Sequence, residues 1–217
     1  STFNLPGLDW RFFYYGSWCE VPKGSLMVTS EARCFKLELQ KEFAGIHLPD
    51  MLYPRDNHRS IYFEGYVYTV GGVKRTERYC VADQRWEKIQ SLPKKIEYPS
   101  LITYLDCLYV FGGSNLNSYN EKVFCLNYGT LTWKKFTFPS SCIGESIPCF
   151  LYNSLLFFVV RGRVLQFIHE TGQVVDKHIS CESEDGEDNY FGEHSYYKEG
   201  TLYIGNCEGS VKRSLTP

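Results

Sequence analysis

Five histidines, at positions 47, 58, 169, 178 and 194, are the side chains of this sequence best suited to proton transfer or metal ligation. None is paired at i, i+4 and none sits in an H-E-x-x-H pattern, so the helical zinc geometry has no counterpart here. His169 and His178 fall in predicted strands, and His58 with Arg59 reads as a loop contact. The nine cysteines, at 19, 34, 80, 107, 125, 142, 149, 181 and 207, never form C-x-x-C pairs. Most lie in alternating runs such as RYCVA and VFCLN. They read as small buried hydrophobes in a reducing, cytoplasmic compartment, not as a disulfide frame or zinc site. No G-x-S-x-G elbow offers a nucleophile. The densest carboxylates, Glu182, Glu184, Asp185, Glu187 and Asp188, lack the D-x-[DN]-x-[DN]-G order of a calcium loop. No catalytic residue, metal or cofactor is expected.

What remains is chemistry of recognition. Arg55, His58, Arg59, Lys74, Arg75, Lys94 and Lys95 fall in irregular segments together with Tyr98, Asn115 and Tyr119. Arg78 adds to the same basic zone. Guanidinium and ammonium groups hydrogen-bond strongly to carboxylates and phosphates, and loop aromatics are frequent anchors at interfaces. Tyr53, Tyr190 and Phe191 join that aromatic set. The blander reading is solvated loops whose charges serve solubility and whose tyrosines pack their own turns.

The elements that must position these residues follow from composition. The chain has 217 residues, enough for one large domain with a substantial core. Aromatics reach 17%, with 17 Tyr and 15 Phe, and charged residues only 22%. That mixture suits pleated strands and argues against disorder or a coiled coil. A net charge of −2 offers no global attraction to nucleic acid or anionic lipid. The longest apolar run, LLFFVV at 155–160, is too short for a membrane-spanning helix. The first residues, STFNLPGLDW, show no signal-peptide pattern. They also lack an initiator Met, so the sequence reads as processed or as a piece of something longer.

One phrase is written twice, YVYTVGG at 66–72 and LYVFGG at 108–113, with the first glycines 41 residues apart. A strand precedes each, SIYFE at 60–64 and SLITYL at 100–105. After each come a loop, a strand and a Trp-led strand containing Trp86 or Trp133. Fainter copies place Ser30, Arg161-Gly162 and Gly205-Asn206 at the doublet position. From Ser30 the anchors step by 41, 41, 49 and 44 residues, and the two ends of the chain together supply one further step of 42. Repeats of this length with four strands each describe a β-propeller.

The unit resembles the kelch repeat. Gly71-Gly72, Tyr79 and Trp86 carry the resemblance in one copy. Gly112-Gly113 and Trp133 carry it in the next, with Leu126 where the family usually has Tyr. It implies an all-β propeller of four-stranded antiparallel blades, with the doublet ending the second strand and Tyr and Trp on the third and fourth. The expected blades are approximately 8–48, 58–92, 99–139, 146–180 and 194–217 plus 1–6, in a single domain over 1–217. The segment TFNL at 2–5 would pair beside VKRSL at 211–215. Part of a six- or seven-bladed ring is the alternative. Trp86 and Trp133 are expected to be buried between blades.

The resemblance also implies a non-catalytic adaptor or scaffold that binds a protein or peptide, an acidic one on its basic side. Substrate recruitment for a ubiquitin ligase and cytoskeletal attachment are the roles implied. Nucleic acid and membrane are not expected partners. The binding face would be built from second-to-third-strand loops (72–77, 114–122, 206–209) and inter-blade links (47–59, 92–99, 139–148, 181–194). The competing class is a propeller enzyme or metal binder acting through a central channel. Copper oxidases similar to kelch propellers need a Cys–Tyr crosslink, but Tyr79 and Cys80 are strand neighbours pointing to opposite faces. NYGTLTW at 127–133 departs in spacing from a sialidase box and lacks its Asp.

Overall fold

The computed structural model describes residues 15–38, 44–115, 118–139, 147–180, 194–198, 201–206 and 209–214. They form antiparallel meanders. The first sheet is β1 (Ser17–Val21), β2 (Ser25–Ser30), β3 (Arg33–Glu38) and β4 (Ala44–Leu48). The second is β5 (His58–Phe63), β6 (Tyr66–Gly71), β7 (Val73–Cys80) and β8 (Arg85–Lys88). In the third, β9 (Ser100–Tyr104) and β10 (Cys107–Phe111) lead through a small ladder, β11 (Ser114–Asn115) and β12 (Ser118–Tyr119), to β13 (Lys122–Asn127) and β14 (Thr132–Thr137). The fourth holds β15 (Cys149–Tyr152), β16 (Leu155–Val160), β17 (Arg163–Ile168) and β18 (Gln173–Ser180). Then follow β19 (His194–Lys198), β20 (Thr201–Asn206) and β21 (Gly209–Ser214), three strands among the described residues. Successive four-stranded antiparallel sheets of this kind are the blades of a β-propeller.

Two compact units divide these sheets. One is Ser1–Tyr98 with Leu131–Trp133, and the other is Pro99–Thr130 with Lys134–Pro217. In the first, alternation along β6, β7 and β8 brings Val67, Tyr79 and Trp86 onto one face, where they pack with Cys19, Met27, Cys34 and Met51. The Tyr79 and Trp86 rings lie 5.2 Å apart. The Trp86 indole N–H donates to the Pro49 carbonyl at 2.8 Å, which fixes the start of the link after β4. The core of the second unit is phenylalanine. Phe111 stacks on Phe158 at 5.4 Å and meets Phe167 edge-on at the same distance, while Phe138 leans on Phe158 at 5.0 Å. Burying each such ring contributes about 1.5–3 kcal/mol.

The doublets do what their chemistry suggests. Gly71, Gly72, Gly112 and Gly113 all have positive φ. At Gly72 (φ +70°) a Cβ would stand 2.1 Å from the Asp56 carbonyl oxygen, so no larger residue fits without moving the link. Arg161 and Gly162 take the same left-handed turn after β16, with φ of 48° and 69°. Where Ser30 ends β2, the following Glu31 has φ +52°.

Several expectations need correction. Residues 73–77 are not a loop, because β7 starts at Val73 directly after the glycine turn. The polar run K-R-T-E is strand because the sheet buries Thr76 and Glu77 and leaves Lys74 and Arg75 outside. The 114–122 segment contains the β11–β12 ladder. It closes on buried Asn120, whose amide donates to the Gly112 and Lys122 carbonyls at 3.0 and 2.6 Å. Among the described residues the first strand is SWCEV, and residues 11–14 of RFFYYGSW lie outside them. His169 sits in the turn after β17. Trp133 is only half-buried. Within the first unit its backbone N–H donates to the Gln90 side-chain oxygen at 2.7 Å and its indole N–H to the Gln90 carbonyl at 2.8 Å. The acidic link 181–193 (with Tyr190 and Phe191), residues 140–146, Cys207 and Glu208, and the TFNL strand lie outside the described residues.

Candidate functional site

The link from β4 to β5, residues 49–57, is held from both sides. Met51 N–H donates to the Ala32 carbonyl at 2.6 Å, and Arg55 N–H to the Glu31 carbonyl at 2.9 Å. Glu77 on β7 accepts from Leu52 N–H at 2.8 Å with one carboxylate oxygen and from Arg55 at 2.7 Å with the other. Arg55 also donates to the Thr69 and Gly71 carbonyls, both at 3.3 Å, and to Tyr53 at 3.4 Å. Both side chains of the ion pair are wholly buried. Such a pair fixes geometry more than it adds net stability. Arg55 is therefore spent on the link and does not belong to a binding surface.

His58 is corrected in the same way. It is a strand residue with no exposed surface, and its Nε2 lies 2.8 Å from the Thr29 hydroxyl. Thr29 and Thr69 flank the Ser60 hydroxyl, each at 3.1 Å, and Ser60 N–H donates to the Ser17 hydroxyl at 2.7 Å. These bonds tie β1 and β2 to β5 and β6 through a buried polar seam. Burial, reinforced by Arg55 and Arg59, holds the His58 imidazole well below its ordinary pKa and therefore neutral. Among the described residues His58 Nδ1 has no hydrogen-bond partner.

Outside this frame lies an exposed cluster. Tyr53 projects from the link, and the Arg75 guanidinium sits over its ring, 4.7 Å from the centroid, with one nitrogen 3.4 Å from the phenol oxygen. The Lys88 ammonium is 5.6 Å from the same centroid. The register explains the meeting. Glu77 pairs with Lys88, so Lys88 shares a face with Glu77 and, two residues earlier, Arg75. Lys88 above all, with Arg75 adding to it, lowers the Tyr53 pKa by stabilising the phenolate, against an opposing effect of burial that exceeds the Arg75 contribution. Leu52 beside them is 43% exposed.

The cluster differs from several cations of its unit in how its charge is balanced. Arg78 is paired with Glu87 at 3.0 Å, Arg85 with Glu87 at 2.8 Å, Lys36 with Glu38 at 2.9 Å and Lys95 with Glu97 at 2.6 Å. Lys74, Arg75 and Lys88 have no carboxylate partner among the described residues. Of the other residues expected to bind, Arg59 is half-buried on β5 and donates to the His58 carbonyl at 3.1 Å. Lys94 is half-buried and Lys95 exposed. Tyr98 has φ +52° and is tied to the Asn57 carbonyl through its N–H at 2.8 Å. Asn115 and exposed Tyr119 lie on the β11–β12 ladder of the second unit. Lys88 went unread in the sequence because it sits in a strand. Its signal was its place two residues after Trp86, on the same face. Cys19, Cys34, Cys80 and Cys125 are buried free thiols, and burial pushes Cys19 up to about 12.

No family model matches the chain. Over 113 residues it is 26% identical to human Kelch-like protein 38, covering 49% of this chain and 19% of that protein. Over 82 residues it is 29% identical to the kelch domain-containing protein SSO1033 of Saccharolobus solfataricus, covering 37% of this chain and 11% of that protein. The chain thus matches about a fifth or less of the length of these curated relatives. Among solved structures, that of YjhT, a kelch-type propeller, superposes with a TM-score of 0.71 over 88% of this chain and 71% of the other, at 12% identity. At that identity the likeness speaks to the fold.

Proposed function

The chain belongs with the kelch-repeat proteins, and from that premise we propose that it is a non-catalytic protein-interaction module. At the level of the family, such a propeller is read as a binding scaffold. The partner is a protein or peptide with an acidic segment. It docks where the glycine turn of the second sheet meets the β4–β5 link, on Tyr53, Lys74, Arg75 and Lys88. The observation that carries this reading is the pair of exposed cations on Tyr53, Arg75 and Lys88, with exposed Lys74 on the other face of β7. All three lack carboxylate partners among the described residues, in a unit where Arg33, Arg55, Arg78 and Arg85 are each paired with a carboxylate. Unpaired basic side chains held by an aromatic ring favour an acidic partner through rate of encounter and through specificity. Recruitment of a ligase substrate and attachment to a cytoskeletal protein are two roles this binding would serve, in the reducing compartment suited to the free thiols.

The test is capture of partners from a lysate, read by mass spectrometry. The chain is compared with a Lys74→Glu, Arg75→Glu, Lys88→Glu variant whose urea midpoint is first shown to be unchanged. A partner held by the parent and lost by the variant is the expected result. Partners bound equally by both would place binding elsewhere and refute this site.

A further inference from the structure

We propose that Tyr53, Arg75 and Lys88 form an oxyanion site that seats a phosphoryl group of the partner in preference to a carboxylate. The inference rests on the binding face described above and names the chemistry that face selects. Its first support is the donor geometry. The phenol oxygen of Tyr53 accepts from Arg75 at 3.4 Å, and the Lys88 ammonium lies 5.6 Å from the ring centroid. The phenol proton is thereby left as a third donor beside the two cations. Arg75 keeps the rest of its guanidinium fork, and Lys88 its remaining N–H groups. Three kinds of donor around one point match a tetrahedral group with three terminal oxygens, while a planar carboxylate is satisfied by an arginine fork alone.

Charge is the second support. The cluster carries two positive charges and has no carboxylate partner among the described residues. A phosphoryl ester carries about −1.5 to −2 at neutral pH, so it neutralises both cations, whereas one carboxylate leaves one uncompensated. The third support is preorganisation. Both cations already rest on the Tyr53 ring, so part of the cost of ordering two long side chains is met before the ligand arrives. Lys74, exposed on the opposite face of β7, is outside this triad and serves only the wider basic surface.

The experiment uses the chain labelled with 13C at the tyrosine ring and titrated with N-acetyl-phosphoserine amide or N-acetyl-glutamate amide. Chloride holds the ionic strength constant. The Tyr53 ring signal should shift saturably with the phosphoserine probe, at a concentration at least roughly tenfold lower than for the glutamate probe. Affinity for the phosphoserine probe should rise between pH 5 and pH 7 as the phosphoryl group becomes a dianion near pH 6, while glutamate binding stays level. Lys88→Gln should abolish the preference between the probes, and Tyr53→Phe, followed through the Arg75 side-chain signal, should weaken both. Equal affinity for the two probes, no saturable shift, or an undiminished preference in Lys88→Gln would overturn the proposal. If the charge-reversed variant loses its protein partner while neither probe binds Tyr53, the docking face stands and the phosphoryl assignment falls. If the probe binds but captured partners ignore the charge reversal, the oxyanion site stands and the docking face falls.

Discussion

Acidification should loosen the seam at His58 by an amount that follows from its burial. The ring has no exposed surface, its Nε2 is committed to Thr29, and Arg55 and Arg59 oppose a further positive charge. Its folded pKa is depressed, so between that value and the ordinary one of about 6.5 the unfolded chain binds a proton that the folded chain refuses. Stability is therefore fully present above pH 6.5 and is lost as pH falls, at up to about 1.4 kcal/mol per pH unit. Integrated from pH 7 to pH 5, the loss from this one side chain is at most about 2 kcal/mol. The assay is urea denaturation of the parent and His58→Gln at both pH values, with the ring's protonation followed by NMR. Titration of the remaining histidines and carboxylates is common to both chains. The variant starts weaker because it disturbs the Thr29 contact, and its deficit should narrow at pH 5, by up to about 2 kcal/mol. A deficit constant to within about 0.5 kcal/mol, or an imidazole already protonated at pH 5.5, would refute the reasoning.

The other predictions concern the frame around the site. Arg55→Met should destabilise by about 3–5 kcal/mol because it strands Glu77 in the interior, and adding Glu77→Leu should recover part of that loss in the same urea assay. Gly72→Ala combines a φ of +70° with a Cβ 2.1 Å from the Asp56 oxygen. It should cost more than Gly24→Ala, where φ is +63° but nothing lies within 4 Å, and thermal melting of the two variants separates strain from collision. Trp86→Ala should lose roughly 3–5 kcal/mol as a buried aromatic. Trp133→Ala should lose nearer 1–2 kcal/mol, because it gives up a half-buried ring and the indole hydrogen bond to the Gln90 carbonyl while keeping the backbone bond to the Gln90 side chain.

The repeat was legible because a Gly-Gly turn, a strand and a Trp-led strand leave a sequence trace with a fixed step. Even the weak copy at Arg161-Gly162 adopts the left-handed turn of the stronger ones. The candidate site was legible only in part. Lys74 and Arg75 stay exposed as expected, while Arg55 and His58 turn inward. A basic residue in a Pro-containing link looks solvated until its partner is known. Here the partner is Glu77, 22 residues away, which strand pairing brings beneath the link. His58 is similar: the Thr29 hydroxyl from β2 holds its ring, with Ser60 of its own strand and Thr69 of β6 completing the seam, and the distant Thr29 has no local spacing to announce it. Lys88 was invisible for the opposite reason. Its strand looked structural, and only the Glu77–Lys88 register carries it to Tyr53.

The most direct test of the docking account is hydrogen exchange on the chain with its captured partner bound. Slowed exchange in the amides of residues 51–53, 73–76 and 86–89, absent when Arg75 and Lys88 are reversed in charge, is the predicted footprint. Protection confined to other strands, with these amides exchanging as in the free chain, would contradict it.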